Sequence, residues 1–300
     1  MGKFLKWIGK LLVSLIGLLL IAVIVLYALG TGRLNKKFSV TAEALPIPAD
    51  AASVARGEHF AQIQCQGCHG DNMAGGLKFF DDPAFGVAYA PNLTPGKGGL
   101  GGSLSDADYI RAIRHGIRPD GTPMLVMPNT ALYHLSDEDL GAVIAYAKSL
   151  PPVDNVVEGP PTLRILGRVL AGAGQLPPLA AEAIDHTGPR PVAPQRGATA
   201  EYGDYLVASI GCSQCHGPQL SGGHPPEPDA PPAPNLTPGG ELLGWTGADF
   251  TKAMRAGLTP GGRQLNEAMP WKNFGHMTDD ELTAVWLYLH SLPKRVTTTK

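Results

Sequence analysis

Cys65-Gln66-Gly67-Cys68-His69 returns later in the chain as Cys212-Ser213-Gln214-Cys215-His216, and the two pentapeptides contain all four cysteines of the 300 residues. On one helical turn the two thiols lie on the same side, where each can form a thioether with a haem vinyl group. The adjacent histidine brings an imidazole to one axial face of the iron. This spacing is the attachment signature of c-type haem. The copies predict two covalently bound haem c groups, attached at Cys65, Cys68, Cys212 and Cys215 and ligated by His69 and His216.

Three other interpretations of the cysteines fit less well. A disulfide framework needs no histidine after each pair and is typical of much shorter chains. A zinc ribbon places its second Cys-x-x-Cys within roughly 15–20 residues of the first, whereas Cys68 and Cys212 are far apart. A thioredoxin-like redox pair requires a βαβ pattern, which the sequence lacks. Haem attachment is therefore the favoured interpretation.

The N-terminal segment predicts a membrane anchor. Lys3, Lys6 and Lys10 precede an uncharged run at residues 11–32 that is mostly Leu, Ile and Val, and about 20 apolar residues can span a bilayer as a helix. A cleaved secretory signal is the alternative, but it has a shorter apolar core and a small-residue cleavage site, which Ala28-Leu29-Gly30 matches poorly. Flanking charges orient the span only weakly. Because c-type haem is attached outside the cytoplasmic membrane, we expect a single pass through that inner membrane and haem domains on the periplasmic side.

The composition is consistent with a loop-rich fold in which a cofactor supplies much of the core. The chain has 38 glycines and 28 prolines, and aromatic residues make up 7%. Its formal net charge is −2, which gives no basic footprint for nucleic acid. No nucleic-acid partner is therefore expected.

The two haem motifs lie within an internal repeat. Pro91-Asn92-Leu93-Thr94-Pro95 returns as Pro234-Asn235-Leu236-Thr237-Pro238. The stretch between the copies is rich in Pro, Ala and Gly, which predicts a linker with a short helix near Leu163 to Leu170. The expected organisation is an anchor and stalk at 1–45, domain 1 at 46–151, the linker at 152–196 and domain 2 at 197–300.

Each copy has the pattern of a short set of helices, so the sequence predicts an all-α fold with two tandem domains after the transmembrane helix. Capping patterns start a middle helix and a final helix in each copy. Each final helix should end at Ser-Leu-Pro, because Pro151 or Pro293 cannot continue it. The predicted N-terminal caps are Ser105, Ser136, Thr246 and Thr278, and the helix-stopping glycines are Gly116 and Gly257.

A methionine at the same register in both copies predicts the second axial ligand of each iron. Met127-Pro128 lies nine residues before Ser136, and Met269-Pro270 lies nine before Thr278. A core methionine that fills a gap is the commoner role of this residue type, but the repeat favours ligation. Met124 is a rival in the first copy only.

Two aligned histidines, His134 and His276, leave bis-histidine ligation as a minor alternative. Their position just before the final helix suggests exposed loops. His/Met ligation raises the reduction potential relative to bis-histidine ligation and fills both axial positions. Such a haem exchanges electrons and offers no open site to oxygen or peroxide.

Each copy resembles a class I cytochrome c domain in the order of its parts: haem motif, proline loop, middle helix, Met-Pro and a closing helix with aromatic residues. The Pro-Asn-Leu-Thr-Pro loop and the Met-Pro pattern are similar to the cytochrome subunits of bacterial membrane-bound alcohol and gluconate dehydrogenases. Those subunits carry three haem domains, whereas this chain has two motifs. The resemblance covers roughly residues 50–151 and 197–293.

This resemblance implies three further kinds of contact. A glycine lets the first and last helices cross closely, facing Tyr146 or Tyr288 or their neighbours. A loop proline carbonyl accepts a hydrogen bond from the ligating histidine. Arginines pair with haem propionates, unless they lie on a solvated helix face. The implied residues are Gly57 and Gly203 for the crossings, Pro91 and Pro234 for the carbonyls, and Arg114 and Arg255 for the propionates.

Together these features predict a membrane-anchored dihaem electron carrier that is not itself an enzyme. It would take electrons from a periplasmic or membrane dehydrogenase, as a subunit or separately, and pass them to an oxidase or a soluble cytochrome. A dihaem peroxidase-like enzyme would need an open distal side, but both copies offer a methionine. A haem-based gas sensor would carry a signalling domain, and no stretch is left over for one.

Overall fold

A computed structural model of the chain describes residues 2–225 and 229–297. Its longest element is helix α1 (Gly2–Leu34), which contains the apolar run predicted as a membrane span. Within the described ranges, α1 is the one helix long and apolar enough to cross a membrane. Its side chains are exposed over most of its length, and only Gly30 and Leu34 are buried. A helix that exposes apolar residues all round is suited to lipid rather than water.

The first lobe surrounds the first haem motif. Its helices pack so that the first crosses the last, and a β-hairpin lies in the loop after the motif. The lobe contains α2 (Ala51–Gln64), α3 (Gln66–His69), β1 (Lys78–Asp82), β2 (Gly86–Tyr89), α4 (Asp106–His115), α5 (Asn129–Leu132) and α6 (Asp137–Ser149).

The segment between the lobes, predicted as a linker, packs against the rest of the chain. It contains β3 (Thr162–Leu163), α7 (Ile165–Gly172) and α8 (Ala180–Ala183). β3 pairs with β2 to form an antiparallel sheet in the order β1-β2-β3, and α7 packs against α1. The predicted short helix is present as α7, but its contacts could not be read from composition.

The second lobe repeats the helices of the first in the same order. A two-stranded antiparallel sheet replaces the hairpin in its loop. The lobe contains α9 (Ala200–Ile210), α10 (Cys212–His216), β4 (Ser221–Gly223), β5 (Ala233–Asn235), α11 (Gly247–Ala256), α12 (Trp271–Phe274) and α13 (Asp279–Ser291). The helix-dominated, two-domain fold class is therefore confirmed, with additional short strands that no pattern in the sequence predicted.

Local capping explains where the helices begin and end. Ser105 and Thr246 form reciprocal capping boxes with Asp108 and Asp249 at the starts of α4 and α11, which satisfies backbone N–H groups that have no partner within the helix. Both helices end at a left-handed glycine, Gly116 or Gly257. α6 and α13 stop at Ser149 and Ser291, before the predicted prolines.

The first and last helices of each lobe cross at a glycine, as the resemblance implied. A Cβ atom on Gly57 would lie 1.9 Å from the carbonyl oxygen of Ala142, and one on Gly203 would lie 2.0 Å from that of Ala284. The same Cβ atoms would lie under 3 Å from the Cβ atoms of Tyr146 and Tyr288. Any larger residue would therefore force the helices apart.

The two lobes share one apolar core and meet in an approximately two-fold manner. His59 and Tyr205 occupy equivalent positions, two residues after the crossing glycines, and Asp139 and Glu281 are equivalent in the first turn of α6 and α13. His59 Nε2 lies 2.8 Å from Glu281 Oε2, and the Tyr205 hydroxyl donates to Asp139. Each lobe thus bonds a side chain of its first helix to a carboxylate on the final helix of the other, an isologous arrangement within one chain.

Candidate functional site

The haem motifs lie on short helices that follow the first helix of each lobe. In the first motif the backbone N–H of His69 donates to the Cys65 carbonyl over 2.9 Å, which closes one helical turn. The turn puts both cysteines on one side, as the spacing of the motif predicts. All four cysteines are partly buried, and no two are joined in a disulfide.

The environment of the cysteines does not suit a thiolate metal site. Burial raises the pKa of Cys65 and of Cys212 to about 12, so both are neutral thiols before any group binds them. Within residues 2–225 and 229–297, no three His, Cys, Asp or Glu side chains converge as a metal site. Among the described residues, the arrangement of these side chains gives no support to a zinc site.

Both motif histidines are oriented by a proline carbonyl. His69 Nδ1 lies 3.0 Å from the Pro91 carbonyl oxygen, and His216 Nδ1 lies 2.8 Å from that of Pro234. Because a carbonyl only accepts hydrogen bonds, Nδ1 must carry the proton and Nε2 keeps its lone pair. This is the tautomer in which Nε2 can bind iron.

Burial keeps these imidazoles neutral. It lowers the pKa of His69 and of His216, although the hydrogen bond to the proline carbonyl acts in the opposite direction. A neutral ring is the form that binds a metal. The two sites thus agree in tautomer and in charge state.

The Pro-Asn-Leu-Thr-Pro loop is held in place by its polar residues, for which the sequence had suggested no role. The side chains of Asn92 and Asn235 are buried and donate to the carbonyls of Val153 and Arg295, over 2.8 and 2.9 Å. Each accepting carbonyl lies just after the final helix of its lobe. The exact repetition of a buried polar residue was the signal in the sequence. The loop ties the histidine's hydrogen-bond acceptor to the closing helix.

Met127 and Met269 occupy equivalent places in the two lobes. Both are partly buried and pack at the edge of the shared apolar core. The prolines that follow them cap α5 and α12. The rival histidines, His134 and His276, are exposed, as expected for that loop.

The residue after each Met-Pro pair packs on the glycine that ends the middle helix. A Cβ atom on Gly257 would lie 2.6 Å from the Trp271 ring, and one on Gly116 would lie 3.1 Å from Asn129 Oδ1. Trp271 Nε1 and Asn129 Oδ1 are buried polar atoms without a hydrogen-bond partner among the described residues. Trp271 and Asn129 follow Met269 and Met127 by two residues in the sequence, and unsatisfied buried polar atoms are expected where a bound group completes a site. The residues present therefore fit a haem in each lobe.

The two aligned arginines have protein partners in the structure. Arg114 is buried and donates to Glu43, to Asp137 Oδ1 at 2.8 Å and to the Leu135 carbonyl. Arg255 donates to the Gly275 carbonyl and to Asp279 at 2.9 Å. Arg114 therefore does not lie on a solvated helix face. Both tie the middle helix to the start of the final helix, and their pairing with propionates stays a prediction.

Comparison with known proteins identifies both lobes. Residues 52–146 match the family described as cytochrome C oxidase, cbb3-type, subunit III, and residues 200–293 match the cytochrome c family. Both lobes are therefore cytochrome c domains, and the chain contains two of them in tandem. The two domains carry two covalently bound haem c groups.

Its relatives include cytochrome subunits of dehydrogenases. The chain is 29% identical over 286 residues to the cytochrome c subunit of the quinone alcohol dehydrogenase of Gluconacetobacter polyoxogenes, covering 84% of this chain and 58% of that protein. It is 29% identical over 279 residues to the cytochrome c subunit of gluconate 2-dehydrogenase of Pantoea cypripedii, covering 81% and 60%. A diheme c-type cytochrome of Cereibacter sphaeroides is 29% identical over 241 residues, covering 74% and 76%. The chain thus spans about three-fifths of the length of the two dehydrogenase subunits.

Proposed function

We propose that the chain is a membrane-anchored dihaem electron carrier. In this proposal Cys65, Cys68, Cys212 and Cys215 hold the haems, and His69, Met127, His216 and Met269 are the axial ligands. The haem iron supplies one-electron redox chemistry. The protein residues attach it, orient the imidazole and close both axial positions.

The observation that carries the proposal is the interlocking of the two sites across the lobe interface. Gln214 Nε2 of the second haem motif donates to Thr130 Oγ1 over 2.9 Å, and Thr130 lies three residues after Met127. Conversely, Gly67 of the first motif packs against the Asn273 side chain, four residues after Met269. Each haem motif thus contacts the short helix that follows the Met-Pro pair of the other lobe. This arrangement supports a short relay between the two haems.

The partners are proposed from the relatives. The cytochrome subunits of alcohol, gluconate and fructose dehydrogenases are similar over most of this chain. By analogy, a periplasmic or membrane dehydrogenase supplies electrons to this chain, which passes them to an oxidase or a soluble cytochrome. Helix α1 would hold the carrier in the inner membrane by a single pass, with both haem domains in the periplasm.

An optical spectrum of the haem-loaded full chain in detergent tests the carrier proposal. Two low-spin haems, a long-wavelength methionine–iron band in the oxidised protein and no response of the reduced protein to carbon monoxide are expected. Met127→Ala and Met269→Ala should each open one iron to carbon monoxide. Met124→Ala, at the partly buried rival methionine, should leave both irons closed.

Carbon monoxide binding to the unmodified protein would contradict the carrier proposal and favour an enzyme or a gas sensor. Binding in the Met124→Ala protein but not in the Met127→Ala protein would overturn the ligand assignment alone. Nothing in the site's geometry favours the peroxidase-like or sensor alternatives, because a methionine is present at the same position in both lobes.

A further inference from the structure

Helix α7 crosses the end of α1 in direct backbone contact. A Cβ atom on Gly172 would lie 1.9 Å from the Leu26 carbonyl oxygen, and one on Gly30 would lie 1.8 Å from that of Arg168. Two glycines facing each other let helix backbones approach this closely, as in membrane helix pairs. The crossing therefore fixes the level of α7 along α1, between Leu26 and Gly30.

That level coincides with one end of the apolar span. Trp7 and Tyr27 are exposed near the two ends of the span, and 20 residues of α-helix rise about 30 Å, the thickness of the hydrocarbon layer. Tyrosine and tryptophan concentrate at the two membrane–water interfaces. Arg168 of α7 lies over the Tyr27 ring, 5.9 Å from its centroid. If α1 spans the bilayer, α7 lies at the interfacial level.

The outer face of α7 is apolar. Ile165 is 68% exposed and Leu166 is 46% exposed, and Val169 and Leu170 follow one turn later, only partly buried. The helix has two arginines at or near its start, Arg164 and Arg168, and no acidic residue. A short helix with an apolar face and basic residues is suited to the boundary between headgroups and acyl chains.

The opposite face of α7 joins the first lobe. We call this apolar contact the collar cluster; it comprises Leu34, Leu163, Ala171 and Leu179, with Phe80, Phe85, Leu125 and Leu176 packed against it. It connects the end of the anchor, the hairpin and the loop that bears Met127. A contact of α7 with lipid would therefore also fix the position of the first lobe at the membrane surface.

We propose that α7 is a second membrane contact of this chain, an interfacial helix whose Ile165–Leu166 face is covered by phospholipid. The occupant is the lipid surface because the exposed face is continuous with the lipid-suited surface of α1 and lies at its interfacial level. The inference rests on the proposed membrane span of α1. With this second contact, the first lobe would be held in a fixed position relative to the bilayer instead of moving freely at the end of α1.

The test places a nitroxide label on α7 in the full, haem-loaded chain. Thioether bonds consume the four native cysteines, so an introduced Ile165→Cys would be the sole thiol. The protein is reconstituted in phosphatidylcholine–phosphatidylglycerol nanodiscs. Collision of the label with oxygen, which dissolves in lipid, is compared with collision with a water-soluble nickel chelate. Each measurement is referenced to the same sample under nitrogen, which removes the constant effect of the haem iron.

Two control labels calibrate the result. Leu20→Cys places the label in the middle of the apolar run. Val192→Cys places it at a side chain that is 84% exposed and far from α1 in sequence. The proposal expects the oxygen-to-nickel ratio at position 165 to exceed that at position 192 severalfold and to approach that at position 20. A lipid signal at position 20 with a water signal at 165 would overturn the α7 proposal and leave the anchor intact. A water signal at position 20 would overturn the anchor itself.

Two further outcomes are decisive. Shielding of the label at position 165 from both reagents would mean that protein covers the face, as in a second copy, and would overturn lipid as the occupant. Gly172→Val should break the backbone crossing and return the label to water while both haems remain bound. A label that stayed in lipid in that variant would overturn the role of the crossing.

Discussion

The Tyr205 hydroxyl of the second lobe donates a hydrogen bond to the carboxylate of Asp139, which is fully buried in the first lobe. Asp139 Oδ1 also lies 2.9 Å from Arg196 Nη2 and 3.4 Å from Arg56 Nε. Burial and the neighbouring carboxylate both raise the pKa of Tyr205, so the phenol stays protonated and remains a donor. This contact stabilises the interface between the two lobes, because a buried carboxylate is costly without its partners.

We predict that Tyr205→Phe lowers the free energy of unfolding by about 1–2 kcal/mol, since it removes one donor from a buried carboxylate that keeps its two arginines. Denaturant unfolding of the haem-loaded protein measures the change. Tyr133→Phe is the control, because the Tyr133 hydroxyl bonds an exposed carbonyl, that of Asp185, over 3.1 Å. If the two substitutions lowered the free energy of unfolding equally, the buried bond of Tyr205 to Asp139 would not stabilise the lobe interface as described.

Met269→His should lower the reduction potential of the second haem, because a thioether favours ferrous iron relative to a second imidazole. The expected shift is on the order of 0.1 V, within the roughly 0.8 V range that axial ligands set. A spectroelectrochemical titration that resolves both haems provides the measurement. Met277→Leu is the matched control, because Met277 is a buried core residue of the same lobe. An unchanged potential in Met269→His would refute ligation by Met269.

Gly203→Ala should destabilise the second lobe by at least about 2 kcal/mol, because the new methyl group would overlap the Ala284 carbonyl in a closely packed crossing. Thermal unfolding followed by the haem absorption of that lobe measures the loss. Gly261→Ala serves as the control, since a Cβ atom there meets no heavy atom within 4 Å. If both variants unfolded at the same temperature, the close crossing would not be a determinant of stability.

The acid sensitivity of the first lobe should depend on Glu43. Burial alone would raise the pKa of this carboxyl, but hydrogen bonds from His115 and Arg114 outweigh it and lower the pKa to about 2. Because the folded pKa is depressed, the stabilisation is complete above the ordinary pKa near 4.5 and is lost as the pH falls towards 2. Glu43→Gln should cost about 1–3 kcal/mol at pH 7, and the difference from the unmodified protein should disappear near pH 2.

Denaturant unfolding at pH 7, 4 and 2.5 measures this dependence. The control is Glu267→Gln, which disrupts an exposed ion pair with Lys272 and should change stability by less than about 0.5 kcal/mol. A pH profile of Glu43→Gln that paralleled the unmodified protein at constant offset would show that Glu43 does not titrate as described.

Local sequence was sufficient wherever neighbouring residues make the structure. The haem motif needs one helical turn, a capping box needs four residues, and a helix stop needs a glycine or a proline; Ser105, Gly116 and Pro151 illustrate these rules. The crossing glycines came from the resemblance to cytochrome c domains, because no local pattern shows which helix a glycine will face. The repeat added the aligned methionines, Met127 and Met269, which share one register in the two copies. Short strands such as Thr162–Leu163 escaped prediction, since two residues carry no periodic pattern.

The order of residues was sufficient to predict the chemistry of this protein: two haem attachment motifs, the matching histidines and methionines, and an apolar helix long enough to span a bilayer. How these parts are joined follows only from the packing of the folded chain. Tyr205 meets Asp139, Gly172 meets Leu26, and Glu43 of the predicted stalk meets Arg114, each over a long separation in the chain. Such contacts depend on how whole helices pack, and packing is set by the shapes of surfaces that no local pattern encodes.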